Sequence, residues 1–149
     1  GGPRPPPAVA PSPPLTLRRA RAGSPRPHSA WRAPGDARSF PPADAVAVAP
    51  ATFNTVNKWA AGFADNLALG ILCEAPGMGI PTAVLPYVNT ALAAHRAYQR
   101  SLAELREMGV LVGSYEPHRP KSGGGADRFR WEEAVDLLAP LLEAGAAHD

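Results

Sequence analysis

Three short, largely apolar runs punctuate the chain at residues 45–49, 82–85 and 110–112. The first two are each closed by a proline, at Pro50 and Pro86. Since almost every position in these runs is apolar, with no alternation between apolar and polar residues, both faces are expected to be buried. The pattern therefore predicts three strands of a parallel sheet.

A helical pattern follows the first of these strands over residues 56–74. The polar loop before it offers Thr52, Asn54 and Thr55, each of which is a suitable N-cap because its side-chain oxygen can accept from a free backbone N–H. The proline and glycine that begin at Pro76 are expected to end this helix.

Two further helical regions are predicted. One begins at Asn89 and continues over residues 98–108, and Gly109 is expected to end it. The other spans residues 131–144, with four leucines facing the core. These are Leu137, Leu138, Leu141 and Leu142.

The alternating order of strands and helices predicts an α/β fold, in which a parallel sheet lies between flanking helices in three layers, as in flavodoxin-like and Rossmann-like domains. We expect this domain to span residues 43–149, after a tail at residues 1–42. Ligands of such folds bind at the carboxyl ends of the strands.

Composition separates the tail from the domain. Residues 1–42 hold twelve of the 19 prolines and seven arginines, with Asp36 as the single acid. Proline has no backbone N–H and disfavours helical structure. Because this segment is rich in proline, it is expected to be disordered. It could also serve as a PxxP ligand or as a basic arm on a polyanion. Because the net positive charge lies in the tail, we expect no nucleic-acid partner for the domain.

Residue counts exclude several other classes of protein. Cys73 is the single cysteine, which excludes a disulfide framework and a cysteine-rich zinc site. No apolar run approaches the ~20 residues of a membrane span, and the N-terminus does not read as a secretory signal. We therefore expect no membrane partner and a cytoplasmic location. The positions of His95, His118 and His148 do not form a metal-binding pattern, so each is expected at the surface.

Two polar loops, at residues 50–55 and 86–90, follow the first two strands and share the order proline, Asn-Thr, helix. Hydroxyl, amide and free N–H groups at a helix N-terminus suit a phosphate or a carboxylate. Neither loop is glycine-rich, so neither is a P-loop or a GxGxxG turn. Plain helix capping is the alternative for each loop, but their shared position favours a binding site.

Residues 49–67 read APATFNTVNKWAAGFADNL. This segment resembles the APATANTxxKxAxGxADNL stretch of the homo-oligomeric flavin-containing cysteine decarboxylases, which include phosphopantothenoylcysteine decarboxylase and the lantibiotic-modifying peptidyl-cysteine decarboxylases. Residues 86–90, PYVNT, fall where those enzymes carry a PAMN motif. The resemblance covers about residues 43–112, and within the family the sequence resembles an actinobacterial branch.

The resemblance implies FMN as cofactor, a small-molecule or peptidyl-cysteine substrate, and a trimer-based homo-oligomer with FMN between subunits. Tyr87 would line the flavin, and Asn89 would bind the substrate carboxylate as a catalytic residue. The FMN phosphate and ribityl oxygens would be contacted by Thr52, Phe53, Asn54 and Thr55.

Three departures from the family pattern leave activity open. The strand and Gly-Ser/Thr turn that open the family's fold have no match in residues 1–48, so the N-terminal part of the fold is expected to be missing or degenerate. The position of the family's histidine holds Asp36, with His28 nearby, and the late flap carries no cysteine. The alternative is a truncated, non-catalytic flavoprotein domain that acts by oligomerisation or partner binding.

Overall fold

The computed structural model describes residues 43–121 and 128–147. The predicted tail at residues 1–42, together with His148, lies outside the described residues. The elements follow in the order β1 (Val46–Ala51), α1 (Phe53–Ala60), α2 (Leu67–Glu74), β2 (Thr82–Pro86), α3 (Thr90–Ala93), α4 (Arg96–Glu107), β3 (Leu111–Val112) and α5 (Glu132–Ala146).

The described strands form one parallel sheet in the order β1-β2-β3. Val46 pairs with Thr82, and Ala83 pairs with Leu111. Because the strands are parallel and in sequence order, each is joined to the next by a helical crossover on the sheet. The predicted α/β class and parallel sheet are confirmed.

Apolar clusters cover both faces of the sheet. Successive residues of a strand point to opposite faces, and in β2 Val84 belongs to one cluster while Leu85 belongs to the other. The first cluster joins the sheet to α1, α2 and α4, and the second joins it to α5. This arrangement is the predicted order of helix, sheet and helix layers.

β1 is less buried than its sequence suggests. Val46 and Val48 lie in the core, but Ala47 is exposed on the opposite face. Among the described residues, α5 packs on that face of the sheet, where it contacts β2 and the part of β1 near Ala49. The expectation that both faces of this strand are buried is therefore wrong at Ala47.

The single helix predicted over residues 56–74 is wrong, because the chain forms α1 and α2 with a turn between them. Gly62 adopts φ +80°, a conformation open to glycine, and the N–H of Phe63 donates to the carbonyl of Lys58 at 2.9 Å. This is a Schellman-type end of α1. Asn66 then begins α2, since its side chain accepts from the Leu69 N–H at 2.9 Å.

Trp59 holds these two helices together. Its ring is buried, and its indole N–H donates to the backbone carbonyl of Leu72 at 3.1 Å. The helical partner of that carbonyl would be residue 76, which is a proline and has no N–H. The indole therefore supplies the hydrogen bond that the helix itself cannot form.

The ends of the later helices agree only in part with prediction. Gly109, at φ +86°, ends α4 as expected. In α5, Leu138 is buried and Leu137 packs against the second cluster, but Leu141 and Leu142 are 45% and 41% exposed. The inward placement of this last pair is wrong, because the described part of the sheet does not reach them. None of the described helices is long and apolar enough to cross a membrane.

Candidate functional site

The two polar loops lie side by side at the carboxyl ends of β1 and β2. The backbone N–H of Tyr87 donates to the carbonyl of Ala51 at 2.8 Å, which ties the second loop to the first. Ala51 and Pro86 are also paired in the sheet register. The two loops are therefore adjacent in the structure, as predicted.

The first loop presents free donors. Thr52 caps α1, since its Oγ1 accepts from the Thr55 N–H at 3.2 Å and lies 3.1 Å from the Thr55 hydroxyl. The backbone N–H groups of Phe53 and Asn54 donate to no described residue. Thr52 and Asn54 are exposed, while Thr55 is buried. The loop can therefore offer an anion two N–H groups beside exposed hydroxyl and amide side chains.

The ring of Phe53 packs against α4. It stacks on Tyr98 with ring centroids 5.9 Å apart and meets the edge of His95 at 5.7 Å. Burial raises the pKa of Tyr98, an effect partly offset by the positive charge of Arg106. The neutral phenol therefore persists beneath the loop, and the ring of Phe53 anchors that loop to α4.

Asn89 in the second loop caps α3. Its side-chain oxygen accepts from the Leu92 N–H at 2.9 Å. Its amide nitrogen makes no hydrogen bond to any residue of the described ranges. Asn89 is half-buried, so the capping bond fixes the side chain while a donor remains available.

Tyr87 lies in an aromatic cluster that spans three segments. Its ring centroid is 4.9 Å from that of His118, 5.1 Å from Tyr115 and 5.7 Å from Phe129. Tyr87 is half-buried, whereas Phe129 is buried. The cluster connects the second loop to the chain that follows β3 and to the start of α5.

His118 was expected at the surface, and this expectation is wrong. It is half-buried, and a parallel bridge joins it to Asn89. Its carbonyl accepts from the Thr90 N–H at 2.8 Å, and its N–H donates to the carbonyl of Val88 at 3.3 Å. One signal in the sequence pointed this way, since His118 follows the third strand and so lies at the same sheet edge. His95 is exposed, as predicted.

A cavity of about 570 Å³ adjoins His118 on the side of α5. This volume falls within the range of small-molecule sites. Glu133 is fixed at its wall, because its carboxylate accepts from the Ser114 N–H at 2.8 Å. The charged residues that line the cavity are Glu116, Arg119, Arg128, Arg130 and Glu133.

Lys58 and Cys73 lie away from these loops. The Lys58 ammonium contacts the Asp65 carboxylate at 2.5 Å and closes the turn between α1 and α2. The thiol of Cys73 donates to the carbonyl of Phe63 at 3.5 Å. Burial, with a smaller effect from Glu74, raises the pKa of this thiol, which suits a packing residue better than a nucleophile. The described residues contain no cluster of His, Cys, Asp and Glu that could hold a metal ion.

Curated relatives match the chain over part of their length. The CoaBC bifunctional protein of coenzyme A biosynthesis from Mycobacterium tuberculosis is 36% identical over 103 residues, which are 67% of this chain and 23% of the relative. The match thus covers less than a quarter of CoaBC.

Solved structures agree with the fold described above. The FMN-dependent cysteine decarboxylase SpaF is similar at a TM-score of 0.50 and 30% identity, over 66% of this chain and 53% of that one. A PPC decarboxylase mutant complexed with pantothenoylaminoethenethiol is similar at a TM-score of 0.51 and 30% identity, over 64% and 54%. This chain spans about half the length of each.

The Flavoprotein family model matches residues 28–141. The match includes both polar loops and every described strand. With a family match over well more than half of its length and the parallel α/β fold to accompany it, the chain belongs to the Flavoprotein family.

Proposed function

We propose that this chain binds FMN and contributes to the decarboxylation of an N-acylated cysteine that has a free carboxylate. The observation that carries the proposal is the junction of the two loops, where free N–H groups and Asn89 lie at adjacent strand ends. SpaF is FMN-dependent, and the PPC decarboxylase mutant is complexed with a pantothenoyl thiol, which supports this cofactor and this substrate class.

The donors of the first loop fit a phosphorylated cofactor. The N–H groups of Phe53 and Asn54 would hold the phosphate, and the exposed Thr52 and Asn54 side chains would contact the phosphate or the ribityl hydroxyls. Thr55 is buried and bonded to Thr52, so its role would be to shape the loop. When bound, FMN would supply the two-electron oxidation that this decarboxylation requires.

The second loop would place both the flavin ring and the substrate. Tyr87 would line the ring, because its backbone is tied to Ala51 and its side chain is supported by the aromatic cluster. Asn89 would donate from its amide nitrogen to the substrate carboxylate, while its oxygen remains on Leu92. A fixed carboxylate is what orients the leaving CO₂.

We also propose that the chain works as a trimer-based homo-oligomer. In support, α1 and α4 border a groove whose lining includes Ala60 and Ala61, and Phe63 at its edge is 56% exposed. Native mass spectrometry of the purified protein tests this assembly. A monomer across micromolar concentrations would contradict it.

The test of cofactor binding is the visible absorption spectrum of the purified protein, with the released cofactor identified by mass. We expect about one FMN per chain, or uptake of added FMN. Asn54→Ala should weaken FMN binding at least tenfold, whereas Gln99→Ala, an exposed amide on α4, should leave the affinity unchanged. A colourless protein that takes up no FMN would overturn the proposal.

The substrate class is tested with the FMN-loaded protein. N-acetylcysteine, pantothenoylcysteine and a peptide ending in cysteine share the N-acylated cysteine carboxylate, and CO₂ release is measured for each. Asn89→Asp should keep the cap of α3 but repel the substrate carboxylate, so that turnover falls while FMN binding is retained. Equal turnover of the wild type and this variant would remove Asn89 from the role.

A further inference from the structure

The chain after β3 is fixed against the second loop by its backbone. Two main-chain hydrogen bonds, from Thr90 to His118 and from His118 to Val88, place the backbone of His118 beside that of Asn89. Backbone bonds set this position whatever the side chain does. A substitution at His118 can therefore test the imidazole without releasing the segment.

The ring of His118 is held on two sides. Its Nδ1 lies 3.1 Å from the hydroxyl of Tyr115, and its face lies against Tyr87. When Nδ1–H donates to the tyrosine oxygen, the lone pair of the imidazole is on Nε2. Hydrogen bonding and stacking together fix where this acceptor lies.

Other titratable groups surround the imidazole. The cavity of about 570 Å³ that His118 lines also holds Glu116, Arg119, Arg128, Arg130 and Glu133, and Tyr87 and Tyr115 contact the ring. Glu133 is bonded to Ser114, and Arg130 lies 3.8 Å from Asp136. Asp136 offsets Arg130, and the other two arginines of the described lining, Arg119 and Arg128, balance Glu116 and Glu133, so this wall is close to neutral.

We propose that His118 is a catalytic residue that accepts the thiol proton of the substrate, and that Tyr115 is its positioning residue. In this step the S–H bond breaks, an N–H bond forms at Nε2, and the electron pair stays on sulfur as a thiolate. No oxidation occurs in the transfer itself. The inference rests on the proposed function, which supplies the substrate class and names FMN as the oxidant.

The test compares His118→Gln with Gln99→Ala. The control removes an exposed side chain on α4 that lies outside the proposed sites for FMN and substrate. In rapid-mixing experiments with FMN-loaded protein and N-acetylcysteine, His118→Gln should slow flavin reduction by about 100-fold or more. The control should stay within about threefold, and FMN affinity should not change in either variant.

A pH profile separates proton transfer from a structural effect. The wild-type rate should fall on the acid side with a slope of one proton. In His118→Gln this fall should move to the higher pH at which the substrate thiol itself ionises, because the thiolate must then form without the imidazole. Tyr115→Phe should keep the limb but lower the rate above it, because the phenol no longer bonds to Nδ1 and the imidazole is less well oriented. A His118→Gln variant that retains the wild-type rate, or the same acid limb, would overturn the assignment.

Nuclear magnetic resonance of the protein without flavin gives an independent readout. Addition of N-acetylcysteine should shift the His118 ring signals, and N-acetylserine, whose hydroxyl is a far weaker acid, should shift them less. Equal shifts, or none, would count against His118 as the acceptor. The nuclear magnetic resonance experiment needs no flavin. If the wild-type protein does not take up FMN, that result refutes the proposed function, while the role of His118 is still decided by the ring shifts.

Discussion

The hydrogen bond from Trp59 to Leu72 lends itself to a quantitative test, because a proline has removed the donor that a helix would normally provide. Trp59→Phe keeps an aromatic ring in the core but deletes the indole N–H. Leu72 is 1% exposed, so water cannot replace the lost donor. In the variant the carbonyl of Leu72 therefore has no hydrogen bond from α1.

The expected cost has two parts. A buried carbonyl left without a donor costs about 1–3 kcal/mol. The smaller ring removes apolar contact worth about 1 kcal/mol. Trp59→Phe should therefore lower the free energy of unfolding by about 2–4 kcal/mol. Trp131→Phe is the matched control, because Trp131 is 54% exposed and its replacement should cost within about 0.5 kcal/mol.

Urea unfolding followed by circular dichroism measures both variants. Pro76→Ala makes the test specific, because alanine restores an N–H four residues after Leu72. In that background Trp59→Phe should cost about 1 kcal/mol less than it does in the wild type. An equal cost in both backgrounds would refute the idea that the indole replaces a missing helical donor, as would a Trp59→Phe cost no larger than that of Trp131→Phe.

Three further predictions concern other parts of the fold. Gly113→Ala should destabilise by about 1–3 kcal/mol in the same urea assay, because its Cβ would overlap a methyl carbon of the buried Leu85; an unchanged midpoint would contradict the close approach. Asn66→Ala should cost about 1 kcal/mol through loss of the cap on the Leu69 N–H, and Asn66→Asp should recover most of it. Cys73 should react with iodoacetamide more slowly than free cysteine at neutral pH, since its raised pKa leaves little thiolate, and the rate should climb at alkaline pH; reaction at the rate of free cysteine would show an accessible thiolate.

The sequence was sufficient to predict the sheet and the location of the loops. Each strand is a short apolar run in the sequence. The first two runs are followed by the polar loops at residues 50–55 and 86–90, which lead directly into helices. This order of elements predicts a parallel sheet with polar loops at the carboxyl ends of its strands. Thr52 and Asn89 cap their helices as the loop chemistry suggested. These features depend on local residue types, which a sequence displays directly.

The break between α1 and α2 is harder to predict, because the helix-ending Gly62 and the helix-starting Asn66 lie within a longer stretch of apolar residues at helical spacing. Apolar residues continue at helical spacing through residues 56–74, yet Gly62 and Asn66 end one helix and begin the next. Periodicity reports which residues share a face and is insensitive to a turn that preserves it. The buried Trp59 stabilises the two-helix arrangement through a contact 13 residues away along the chain.

The placements of His118 and of the last leucines depend on distant parts of the chain. His118 reaches the second loop through backbone bonds to residues about thirty positions earlier, and no spacing rule encodes that pairing. Leu141 and Leu142 lie on an amphipathic helix, but the helical pattern cannot show where the sheet beneath it ends. Tertiary context decides both outcomes.

The parallel pairing of β1 with β2 also affects how the chain must be made. Val46 cannot meet Thr82 until the whole crossover between them has left the ribosome. At roughly 5–20 residues per second, the apolar strand Val46–Ala51 waits about two to seven seconds without its neighbour. During that interval none of the other described strands is available to pair with it, as the second strand of a hairpin would be, so the described part of the fold leaves an apolar strand waiting as a direct consequence of its topology.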